Sequence, residues 1–171
     1  ACIRFAPVPG LLVIDCDGDY DHITDIMSAN PVLSEYSFVE ASSSSSCIAG
    51  TDGREYRGVK GKHLYFHILD ATDIPRTLQT LHDRMLLAGL HRHKVSANGR
   101  FLERSSIDLA LRVPSQPIYL HAGLSAGLVQ NKQVQLHKGL EVFDSCRVLM
   151  NLSALERAVL AEKTRASREH L

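Results

Sequence analysis

The chain opens its hydrophobic pattern with a four-residue apolar run, residues 11–14, that stops abruptly at acidic and glycine positions. Such a run reads as a buried strand whose C-terminal end carries polar groups. Residues 21–29 suit a short helix, stopped by Asn30-Pro31. Residues 36–40 read as a second strand running into the serine tract 42–46, and residues 50–61, with four glycines and several charges, as a loop or irregular hairpin. Residues 62–69 alternate. His63, Tyr65 and His67 share one face, and Leu64, Phe66 and Ile68 the other. Asp73-Ile-Pro75 starts a helix, with Asp73 as its cap and Leu78, Leu81, Met85 and Leu86 as its apolar stripe. Residues 96–100 form a turn, 105–111 a further strand ended by Pro114, and 116–121 a short extended piece. Residues 153–168 predict a terminal helix with Leu152, Leu155, Val159 and Leu160 inward.

Strands and helices alternate without a regular βα repeat. The pattern predicts an α+β fold: one domain over residues 1–171, a mainly antiparallel sheet with helices on one face, and a small N-terminal α/β unit. The 171 residues are 44% hydrophobic and 22% charged, enough for a real core. Lys plus Arg and Asp plus Glu number 19 each, which argues against a domain whose main task is to coat nucleic acid. The four cysteines, Cys2, Cys16, Cys47 and Cys146, are scattered without a Cys-x-x-Cys pair. That spacing speaks against a disulfide framework and fits a reducing cytoplasm. No apolar run reaches transmembrane length, so no membrane partner is expected. A first residue other than Met, followed by loop-like residues 4–10, suggests a domain excised from a longer protein, although removal of an initiating Met leaves the same pattern.

Three segments carry candidate chemistry. In Leu11-Leu-Val-Ile-Asp-Cys-Asp-Gly-Asp19, the carboxylates of Asp15 and Asp17 fall on one side of a strand, and two hard oxygen ligands suit Mg²⁺ or Mn²⁺; a solvated turn is the plainer alternative. In Lys60-Gly-Lys-His-Leu-Tyr-Phe66, the glycine admits close backbone approach and the lysines offer charge to phosphates. His63 opens the polar face there, either as a ligand-binding group or as a satisfied structural residue. In Arg104-Ser-Ser-Ile-Asp-Leu-Ala-Leu111, Asp108 lies in an apolar stretch where an unpaired carboxylate is costly. It is paired by Arg104 or a neighbour, or it is a metal ligand beside Asp15 and Asp17.

Taken in order, Asp15-Cys-Asp17, Lys60-Gly-Lys-His63 and Ser106-Ile-Asp108 resemble the motifs of the archaeo-eukaryotic primase superfamily, in particular the primase-polymerase domains of bacterial mobile elements. The likeness spans about residues 11–125. It implies an RRM-like, palm-like core and template-directed nucleotidyl transfer by a two-metal mechanism. Asp15, Asp17 and Asp108 would be the catalytic metal ligands, holding Mg²⁺ or Mn²⁺. His63, Lys60 and Lys62 would bind the nucleotide, with Arg104 and a hydroxyl of the serine tract, represented by Ser44, nearby; which serine makes the contact stays open. The implied partners are a single-stranded DNA template, a primer, ribo- or deoxyribonucleoside triphosphates, and a helicase or zinc-binding domain in the same full-length protein.

Two rivals stand beside this. Val13-Ile-Asp-Cys-Asp-Gly18 also resembles the first motif of haloacid-dehalogenase-type phosphatases, in which Asp15 would be a nucleophile and Asp17 an acid/base. That family needs a late acidic metal site, for which Val142-Phe-Asp144 is the poor candidate. The other rival is a non-catalytic replication-initiator module that binds nucleic acid. Asp19 and Asp21 read as loop or water-mediated groups. His91-Arg-His93 with His82 invites zinc but lacks cysteines, and Arg92, Lys94 and Arg100 are candidate phosphate contacts.

Overall fold

The computed structural model describes residues 3–17, 22–90, 92–99 and 101–169, with backbone alone for residues 17, 92–95 and 103. Asp19, Asp21, His91 and Arg100 lie outside the described residues, as do the side chains of Asp17, Arg92, His93 and Lys94. The fold is α+β. A four-stranded sheet has the order β1 (Gly10–Asp17), β5 (Gly61–Ile68), β2 (Phe38–Ser42), β9 (Val134–His137), and each neighbouring pair is antiparallel. β1 and β2 are therefore parallel to each other, joined through α1 (His22–Ala29), with β5 inserted between them.

Alternation in β1 and β5 sorts their side chains cleanly. Leu12 and Ile14 of β1, with Leu64, Phe66 and Ile68 of β5, are fully buried. They form one core cluster with Ile26 of α1 and Ile74, Leu78, Leu81 and Met85 of α2 (Ile74–Leu87). The α2 stripe is as its spacing predicts. Each large apolar side chain buried this way contributes roughly 1.5–3 kcal/mol. On the other face stand Val13, Asp15, His63 and Tyr65, with Leu11 and His67 exposed.

Asp73 precedes α2, but its carboxylate makes no bond to the helix N–H groups. It instead takes the guanidinium of Arg76 and the hydroxyls of Thr77 and Ser145. Ser145 begins the short helix α3 (Ser145–Val148), so this cluster clamps the C-terminal region onto α2.

Several elements differ from their sequence expectation. β3 (Ile48–Gly50) and β4 (Glu55–Arg57) pair as the irregular hairpin expected near residues 50–61, but β8 (Leu128–Gln130), where no strand was expected, joins them in a second, three-stranded sheet. β6 (Arg92–Val95) and β7 (Phe101–Arg104) make a hairpin around the turn at residues 96–99, where Gly99 has φ +75°. Residues 105–111 are not a strand. They bend and enter a 3₁₀ turn, Leu109–Arg112, capped by Asp108, whose Oδ1 accepts the Ala110 N–H at 2.9 Å. Ser105 Oγ likewise accepts the Ile107 N–H. Short polar side chains that bond their own backbone compete with strand pairing.

The terminal helix α4 (Ala154–Glu169) starts on a capping box. Glu156 N–H donates to Ser153 Oγ, and Ser153 N–H donates to the Glu156 carboxylate at 2.7 Å. Leu152 is buried as expected, but Leu155 and Val159 are exposed, because α4 meets α2 with only its Leu160 and Thr164 side. No helix among the described residues is long and apolar enough to cross a membrane.

Candidate functional site

The antiparallel register of β1 and β5 sets Asp15 opposite His63 and Asp17 opposite Gly61. Directly opposed residues share a face. His63 is only 5% exposed, and its Nε2 lies 3.3 Å from Asp15 Oδ1. Its Nδ1 lies 3.0 Å from the Tyr65 hydroxyl, with the two rings edge to face. Burial, then the negative charge of Asp15, pushes the Tyr65 phenol up from its ordinary pKa, so it stays protonated.

Asp108 reaches this place through its backbone. Its N–H donates to the Asp15 carbonyl at 3.0 Å, joining the 105–108 segment to the end of β1. Two histidines pin that segment from the helix side. Ser106 Oγ lies 2.7 Å from His22 Nδ1 on α1, and Ser105 Oγ lies 2.7 Å from His82 Nδ1 on α2. Sequence reasoning gave no role to His22, which is distant in the chain, or to Tyr65, although His63 and Tyr65 plainly shared a face.

The serine tract folds as a turn around the entry to β5. Ser43 N–H donates to the Gly61 carbonyl, while Ser46 Oγ accepts the Lys60 N–H and donates to the Gly61 carbonyl. Ser43 and Ser46 are thus buried structural groups, whereas Ser44 is half-buried and Ser45 exposed. Gly61 is wedged between this turn and β1. A Cβ there would stand 2.8 Å from the Cys16 carbonyl oxygen and 3.3 Å from Ser43 Oγ. Gly61→Ala is therefore expected to cost about 1–3 kcal/mol in urea unfolding, since backbone must move to admit the methyl.

The other predicted residues divide. Lys60 is exposed at the mouth of β5. Lys62 points to the opposite face from His63 and pairs with Glu40 at 2.6 Å, and Glu40 also meets His137 Nε2 at 3.0 Å. Lys62 is thus not brought to Asp15. Arg104 does not pair with Asp108 in the structure. It is exposed and lines a cleft of about 450 Å³ with Gln79, His82, Asp83, Phe101 and Thr164. Burial raises the Asp83 carboxyl in that cleft, against the Gln79 hydrogen bond and the Arg112 charge.

A divalent cation suits part of this donor set. Asp15 Oδ1 is buried and lacks a partner in hydrogen-bond geometry, an arrangement costly for a carboxylate oxygen that a cation would relieve. Asp108 has Oδ1 committed to its turn, leaving Oδ2 as the oxygen to offer. Among the described residues, no three His, Cys, Asp or Glu side chains are gathered as a metal-binding group, and the Asp17 side chain lies outside them. No protein-family model, curated protein or solved structure matches this chain.

Proposed function

We propose that this chain is a primase-polymerase catalytic domain, carrying out template-directed nucleotidyl transfer from nucleoside triphosphates. The observation that carries the reading is the convergence of three segments far apart in sequence. Asp15 at the end of β1, His63 at the start of β5 and Asp108 before its turn meet at one end of the sheet, in the order the motif pattern requires. The β1-α1-β2 unit with β5 inserted between its strands also suits an RRM-like core, β9 being added on the β2 edge.

Asp15, Asp17 and Asp108 would hold Mg²⁺ or Mn²⁺, which supplies charge neutralisation on the triphosphate and activation of the primer 3′-hydroxyl. His63 offers an N–H toward the same place and orients the nucleotide. Lys60, exposed at the mouth of β5 beside the tight turn of residues 42–46, would meet phosphate charge. Lys62 is assigned no substrate contact because Glu40 already holds it on the other face. The partners on this reading are single-stranded DNA template, primer and nucleotide, together with a helicase or zinc-binding domain.

The phosphatase reading loses its late acidic site. Phe143 pairs with the far end of β5, its N–H on the His67 carbonyl, and Asp144 caps α3. Ile68, the Phe143 bridge partner, stands five residues along β5 from His63, about 17 Å at strand rise, which is too far to share a site with Asp15. Extension of a supplied primer on template DNA with Mn²⁺ or Mg²⁺ tests the polymerase. Incorporation that needs metal and template is the expected result; none from folded protein over a range of templates, or phosphate release from small phosphoesters instead, would overturn it.

A further inference from the structure

The His63 ring is approached at both nitrogens, by the Tyr65 hydroxyl at Nδ1 and by Asp15 Oδ1 at Nε2. A neutral imidazole has two tautomers. With its proton on Nδ1, that N–H would donate to Tyr65 and leave the Nε2 lone pair facing a carboxylate oxygen. With its proton on Nε2, the N–H faces Asp15 and Nδ1 accepts from the Tyr65 hydroxyl. Only the second arrangement turns a donor rather than a lone pair toward the carboxylate, an electrostatic preference at 3.3 Å rather than a hydrogen bond.

We propose that Tyr65 is a positioning residue for His63: its hydroxyl donates to Nδ1, fixes the proton on Nε2 and so aims that N–H into the site. Naming the triphosphate as what the N–H meets rests on the polymerase reading; the tautomer itself does not. Burial and the nearby Asp15 charge, which raise the phenol pKa, keep Tyr65 in the donor form. The hydrogen bond the second ring nitrogen makes is what selects a histidine tautomer generally. Tyr65 is also locked in place, because its ring meets His63 edge to face at 5.9 Å between centroids and its strand is paired on both sides.

The test is nitrogen NMR of the His63 ring in the full chain, metal-free, at about pH 8, above the ordinary imidazole range. The expected spectrum has the proton on Nε2 and Nδ1 as an acceptor. Tyr65→Phe keeps the ring and its packing, and should abolish the acceptor signature at Nδ1. In primer extension it should raise KM for the incoming nucleotide about tenfold, with a smaller change in kcat. A wild-type ring protonated on Nδ1, or on both nitrogens, overturns the proposal. So does an unchanged ring pattern in Tyr65→Phe, or an unchanged KM in a chain that incorporates nucleotide. Because the spectra need no turnover, a chain without polymerase activity would refute that reading while the ring nitrogens still decide the role of Tyr65. Should Tyr65→Phe not fold, the wild-type spectrum decides alone.

Discussion

Asp15→Asn should lower metal-dependent nucleotide incorporation by at least about a hundredfold, the scale for losing one preorganised group that stabilises transition-state charge. The same substitution should leave the folded state intact. Asn keeps the shape of Asp and an oxygen for His63 to face, while removing a charge whose Oδ1 is buried without a hydrogen bond. The stability change should stay within about 1 kcal/mol, or about 2–4 °C in melting temperature for a chain of this size. Single-turnover primer extension beside thermal melting separates the two effects. Activity lost together with the fold would point to a structural Asp15, and activity retained would remove Asp15 from the metal site. Asp108→Ala is a harder case to interpret, because it also removes the cap on the 3₁₀ turn.

The largest stability effect is expected far from that site, at Arg76. Its guanidinium donates twice to Asp73, each at 2.5 Å, and also to the carbonyls of Ser145 and Leu149 and the side chain of Asn151. It therefore links α2 to α3 and the stretch that follows. Arg76→Ala would strand a carboxylate whose side chain is 9% exposed and release that segment. Breaking a buried pair costs about 3–5 kcal/mol, and the partial exposure of Arg76 puts the expectation near the lower end, about 3 kcal/mol. Chemical denaturation should show it as a fall in midpoint at constant slope. A loss below about 1 kcal/mol would mean the pair behaves as a surface bridge.

The same cluster sets an acid limb. Burial alone would raise the Asp73 carboxyl, but hydrogen bonds from Arg76 and Ser145, the Arg76 charge and the Thr77 hydroxyl outweigh it and hold the pKa at about 2. The unfolded chain binds that proton near pH 4, so in the window between about 4 and 2 the unfolded state carries more protons. The contribution of Asp73 is thus complete above about pH 4 and is lost as pH falls through about 2. Denaturation midpoints measured across that window should drop for the wild type and flatten for Asp73→Asn.

Much of the fold was legible because some patterns are local. The apolar run ending at Asp15 and the alternation through His63 marked β1 and β5, and the Leu78, Leu81, Met85 stripe marked the buried side of α2. The short strand β8 escaped, and β3 and β4 were legible only as an irregular hairpin. Three residues carry too little periodicity, and their stability comes from partners distant in sequence. Asp108 was misread as a strand residue since its apolar neighbours suggested pairing, whereas its carboxylate closes a turn beside it.

The candidate site divides along the same line. Sequence by itself determined which residue types stand at the ends of β1 and β5, and that Asp15 and Asp17, like His63 and Tyr65, fall on common strand faces, because side-chain alternation belongs to each strand alone. Tertiary structure decided that Asp15 faces His63, that Asp108 joins them through a backbone bond, and that Lys62 is taken by Glu40. Register and partner choice are properties of a pair of strands and of the core that packs them, so neither strand carries them alone.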